Sequence, residues 1–78
     1  MAVSRDEVVA VLAEESGLDP AKIRPEATFE ELDIGSIDVA STLFAIEDKF
    51  GVVVEPDQLD PASTVTQFVD LVLRLADA

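Results

Sequence analysis

The stretch Leu32-Asp33-Ile34-Gly35-Ser36-Ile37-Asp38-Val39-Ala40-Ser41-Thr42-Leu43-Phe44-Ala45-Ile46-Glu47-Asp48-Lys49-Phe50-Gly51 decides the fold. Its apolar residues recur at helical spacing, about 100° per residue, and not in strand-like alternation. Val39, Leu43, Ile46 and Phe50 fall in one narrow sector, which predicts the core stripe of a helix opening at Ser36, running to Phe50 and closed by Gly51. A second apolar stripe, Ile37, Ala40 and Phe44, is rotated well away from the first and is edged by Ser41, Glu47 and Asp48. Asp38, Thr42, Ala45 and Lys49 are left for a third side. Two readings of the second stripe stand side by side. Neighbours bury the helix on two faces, or the stripe is an exposed apolar patch with an acidic rim, the anatomy of a docking site.

Upstream, Ser4-Arg5-Asp6-Glu7 has the form of a capping box, with Ser4 as N-cap and Glu7 three residues on. Val8, Val11, Leu12 and Glu15 then share a face, with Val9 at its flank, and Gly17 is the stop; a helix over 5–16 is predicted. Asp19-Pro20 suits an N-cap followed by a first-turn proline, so a short helical turn begins there and Pro25 interrupts it. The stretch 24–35 reads as a loop anchored by Phe29 and Leu32, long enough to suggest a functional segment. Gly35 is expected to ease a positive φ as the chain enters the next helix.

Downstream, Val52-Val53-Val54 is a β-branched run with no partner strand, read as an extended connector that buries its apolar side chains. Asp57 to Asp60 suits a single helical turn ending near Pro61. Thr64-Val65-Thr66-Gln67 is a second capping box. It opens a helix whose stripe is Val65, Phe68, Val69, Val72, Leu75 and Ala76, with Thr66, Gln67, Asp70 and Arg74 facing away. The expected fold class is all-α: a small four-helix bundle of three longer helices plus one short helix, forming a single domain over 1–78.

Composition narrows the function. The 78 residues contain neither Cys nor His, which removes disulfides, the usual zinc ligands, Ser-His and Cys-His nucleophilic pairs and the commonest general acid/base. Carboxylates alone in so small a bundle leave little room for a substrate cleft, so an enzyme is not expected. Seventeen acidic against five basic residues give a net charge of −12. That surface repels nucleic-acid backbones and anionic membranes and steers the protein toward basic patches on other proteins. The N-terminal residues show no apolar signal stretch, and no apolar run reaches membrane-spanning length, so a cytoplasmic, monomeric protein without membrane insertion is expected. Asp33, Gly35 and Asp38 do not follow the ligand spacing of a calcium loop, and no metal site is expected.

Read alone, Ser36 is a helix N-cap. The wider pattern carries more. A glycine-containing loop, Phe29-Glu30-Glu31-Leu32-Asp33-Ile34-Gly35, delivers a serine to the first turn of an acidic amphipathic helix. This resembles the acyl carrier protein family, whose serine sits in a pattern of the form Leu-Gly-x-Asp-Ser-Leu-Asp. The resemblance continues through Ile46-Glu47-Asp48-Lys49-Phe50-Gly51-Val52, Pro56-Asp57 and Thr64-Val65, and covers essentially the whole chain. It departs in two places: Gly and Asp have exchanged positions, as Asp33 and Gly35, and Ser41 stands where many members carry a glutamate.

The resemblance implies a covalent 4′-phosphopantetheine on Ser36, holding acyl groups as thioesters for fatty-acid, lipid or polyketide-type biosynthetic enzymes. It implies a phosphopantetheinyl transferase as one partner, for which an acid before the serine is helpful. The others are acyl-transferring and synthase enzymes with basic docking patches, met by Ile37, Asp38, Ala40, Phe44, Glu47 and Asp48. No catalytic side chain is implied. Two alternatives remain: an aminoacyl or peptidyl carrier, which shares the bundle and the serine, and an unmodified acidic helical interaction module. High acidity, Met1 and the lack of flanking module sequence favour the discrete acyl carrier.

Overall fold

A computed structural model describes residues 3–60 and 62–77. Three α-helices, α1 (Arg5–Ser16), α2 (Ser36–Phe50) and α3 (Val65–Ala76), are joined by segments carrying two 3-10 turns, Pro20–Lys22 and Pro56–Gln58. Among the described residues there is no strand, only one isolated bridge between Thr28 and Thr64. The fold is all-helical as expected. The helical turn expected over Asp57 to Asp60 is a 3-10 turn, Pro56–Gln58, that starts one residue earlier, because Pro56 supplies the preset φ of a first-turn position. Pro61, expected to end that turn, lies outside the described residues.

Local sequence sets the ends of the helices. At α1 the Ser4 Oγ accepts from the Glu7 N–H at 3.2 Å while Glu7 Oε1 accepts from the Ser4 N–H at 3.1 Å. The same reciprocal pair joins Thr64 and Gln67 at α3. Gly17 and Gly51 take left-handed φ values of 71° and 69° and close α1 and α2. Each is a C-terminal position that a Cβ would strain. Asp19 caps the first 3-10 turn, its Oδ1 accepting from the Ala21 N–H at 2.9 Å.

The core is built from Val8, Val11, Leu12 and Ala13 of α1, Leu43 and Ile46 of α2, and Val65, Phe68, Val69 and Val72 of α3. α1 packs on both other helices. Leu75 and Ala76 reach the core only in part, at the last turn of α3. The long loop is pinned to α3 at several points. Phe29 and Phe68 meet edge to face with ring centroids 5.7 Å apart. The Phe29 N–H donates to the Ser63 carbonyl at 3.1 Å, the Val65 N–H to Ala27 at 2.9 Å, and the Thr66 N–H to Pro25 at 2.9 Å. These bonds satisfy backbone groups that burial would otherwise leave unpaired.

Thr42, left for the third side of α2, is buried at 1% exposure. Its hydroxyl donates to the Asp38 carbonyl at 2.7 Å, one turn back, so the helix satisfies the polar atom internally and the methyl group is free to pack. Val39 and Phe50, expected in the core stripe, are half-buried. The core sector of α2 is thus rotated toward Thr42. Two-sided burial of α2 is not found: Ile37 and Phe44 stand 81% and 71% exposed.

Candidate functional site

The loop before α2 is more ordered than its composition suggests. Thr28 and Glu31 form a reciprocal capping pair, with both bonds at 3.0 Å. The turn that follows closes with the Asp33 N–H donating to Glu30 C=O at 3.1 Å and the Ile34 N–H donating to Phe29 C=O at 2.9 Å. That bond pair is a Schellman closure, and its left-handed position is Asp33, with φ 58°. Gly35 has φ −78° and ψ 173°, ordinary extended backbone. The expectation of a positive φ at Gly35 is therefore overturned: the strained residue is the aspartate two positions earlier. A Cβ placed on Gly35 would meet nothing within 4 Å.

Gly35 is the N-cap of α2, and Ser36 is its first helical residue, not its cap. No side chain caps this helix start, unlike α1 and α3. The first helical bond runs from the Val39 N–H to the Gly35 carbonyl at 3.0 Å. The amides of Ser36, Ile37 and Asp38 precede it, at the positive end of the helix dipole. Ser36 is exposed and lines a cavity of ≈ 180 Å³ whose other walls include Phe29, Ile34, Val39, Ala40 and Leu59. An exposed hydroxyl, an open anion-favouring helix end and a mostly apolar cavity thus meet at one residue. The set fits a phosphate ester on Ser36 Oγ with an organic arm beside it.

The docking candidates separate by exposure. Ile37, Phe44, Glu47 and Asp48 are exposed, whereas Asp38 and Ala40 are half-buried, and of these two Ala40 lines the cavity. One residue was missed. Val52 and Val54 are buried as expected of the connector, but Val53 points outward, 58% exposed. The two-residue period of an extended run carries that signal, since neighbours on either side of a buried pair must face the other way.

Among the described residues Glu31 is the titratable group that its surroundings displace. The Thr28 backbone N–H first, the Thr28 side chain second and the Arg24 charge least hold its carboxyl below the ordinary carboxylate range. Among the described residues no cluster of three or more acids is placed to hold a metal ion, and no helix is long and apolar enough to cross a membrane.

A family model for the phosphopantetheine attachment site matches residues 6–72. The chain is 39% identical over 74 residues to an acyl carrier protein of Myxococcus xanthus, covering 88% of this chain and 94% of that one. It is 39% identical to an acyl carrier protein of Micrococcus luteus, covering 88% and 91%. A meromycolate extension acyl carrier protein of Mycobacterium leprae is 32% identical across 99% of this chain and 71% of its own length.

Proposed function

The chain belongs to the acyl carrier protein family, and on that footing we propose that Ser36 bears its 4′-phosphopantetheine arm. The observation that carries this is the exposed serine at the start of α2, the α-helix among the described residues that no side chain caps, beside an apolar cavity. When bound, the arm supplies the thiol on which acyl groups are held as thioesters. The chain is a carrier and not a catalyst. Ser36 provides the ester oxygen. Phe29, Ile34, Val39 and Leu59 offer apolar surface at the root of the arm.

The proposed partners are a phosphopantetheinyl transferase and acyl-handling enzymes with basic patches. They meet α2 through Ile37, Asp38, Ala40, Phe44, Glu47 and Asp48. The exposed apolar pair inside an acidic rim supports that reading. We read 1–78 as one carrier domain, monomeric because a net charge of −12 opposes self-association, and working in the cytoplasm. The 3-10 turn at Pro56–Gln58 is then the counterpart of the short fourth helix of the bundle. Incubation with coenzyme A and a broad-specificity transferase tests the assignment. One phosphopantetheine should be added, and Ser36→Ala should abolish the mass gain. Persistence of that gain in the variant overturns the assignment.

A further inference from the structure

Among the described residues the cavity beside Ser36 is lined by one other polar side chain, Asp60. Asp60 is fixed by its own turn. Its Oδ1 accepts from the Ala62 N–H at 2.8 Å, its N–H donates to Ser63 Oγ at 3.0 Å, and its carbonyl accepts from the Ser63 N–H at 2.9 Å. The Ser63 carbonyl in turn accepts from the N–H of Phe29, another cavity wall, at 3.1 Å. The turn is thus tied to the cavity that Asp60 lines. Among the described residues Asp60 Oδ2 takes part in no hydrogen bond or ion pair. One carboxylate oxygen serves the turn, and the other is an acceptor at an otherwise apolar wall.

The chemistry of a phosphopantetheine arm matches that wall. Past its phosphate come two methyl groups on one carbon, and on the next carbon a hydroxyl. That is an apolar knob followed by a donor. A hydrogen bond to an ionised acceptor is about twice as strong as a neutral one, and an apolar surrounding strengthens it. The phosphate, itself anionic, gains nothing from Asp60 and stays with the amides at the start of α2.

We propose that Asp60 is a positioning residue for the arm: Oδ2 accepts from that hydroxyl and so lays the two methyl groups against Val39 and Leu59. The inference rests on the Ser36 reading and deepens it. It fixes the direction in which the arm leaves the serine, across the cavity toward residues 59–63 and not out along the exposed face of α2.

The test loads the whole 15N-labelled chain from coenzyme A carrying 13C in those methyl groups, with the mass gain read first. On the parent chain, loading should shift the amides of Leu59, Asp60, Ala62 and Ser63, and the arm methyls should give NOEs to Val39 and Leu59. Asp60→Ser keeps an oxygen for the Ala62 N–H and has no second one. It should take up the arm, melt within about 4 °C of the parent, lose those NOEs and cut the shifts at 59–63 by about half or more. An arm with hydrogen in place of the hydroxyl should cause the same loss on the parent chain and none beyond it on Asp60→Ser. That arm also decides the matter if the serine variant does not fold. Shifts confined to residues 34–38 on a loaded parent overturn the proposal. So do parent-like NOEs with either Asp60→Ser or the deoxy arm. A parent chain that gains no mass overturns the Ser36 assignment itself, so the two failures are told apart.

Discussion

Replacing Asp33 probes the loop that delivers Ser36. The residue sits at φ 58° in the left-handed position of a Schellman closure, the place glycine usually fills. For an L-residue that region costs about 1–2 kcal/mol, less for Asp and Asn, whose short polar side chains tolerate it. Glycine removes the steric cost but has a more disordered unfolded chain, an opposing effect of about 0.4–1 kcal/mol. Asp33→Gly should therefore be level with the parent or more stable by up to ~1 kcal/mol. Asp33→Ala keeps the Cβ and loses the polar tolerance, so it should fall ~1 kcal/mol below the glycine variant. Asp33→Asn serves as the charge control, since all three variants remove the same carboxylate, and it should lie between them. At about 4–8 °C per kcal/mol for a domain of this size, the glycine and alanine variants should differ in Tm by that interval. Circular-dichroism melts at physiological salt measure it. An alanine variant as stable as the glycine variant would refute the argument, because no positive φ would then be held at residue 33 in solution.

Three further outcomes follow from the same geometry. Gly35→Asp should be accepted without loss and raise stability by a few tenths of a kcal/mol through a new N-cap carboxylate; its kcat/KM for modification should rise, and a lowered Tm would contradict the extended backbone seen there. Glu31 has a lowered folded-state pKa, so its contribution is full above the ordinary carboxylate value and is lost as pH falls through the folded value. Glu31→Gln should accordingly flatten the acid side of the Tm–pH curve, and an unchanged acid limb in paired melts would count against the Thr28–Glu31 contact. Phe44→Ala should shift stability by no more than about 0.5 kcal/mol, whereas Phe68→Ala should lose ~3–5 kcal/mol; chemical denaturation of both separates the exposed ring from the buried one.

Much of this protein is written in short-range chemistry. Ser4 with Glu7, Thr64 with Gln67, and the glycines at 17 and 51 act over three to five residues. Such contacts are available to any segment that carries them, so the three helices and their ends are legible without the fold. The position of Ser36 at a loop-to-helix junction is equally local. Tertiary structure decided what distant segments must settle together. Which sector of α2 meets α1 depends on how the long loop is pinned by Phe29, Ala27 and Ser63. That placement buries Thr42 and leaves Phe44 in solvent, although hydropathy would rank them the other way. It also brings Phe44 and Val53, nine residues apart in sequence, to one groove. The positive φ falls on Asp33 and not on a glycine because the hydrogen bonds from Asp33 and Ile34 back to Glu30 and Phe29 close the turn there. Residue preference alone points to Gly35; the closure of the backbone outweighs that preference once Phe29 is held in the core.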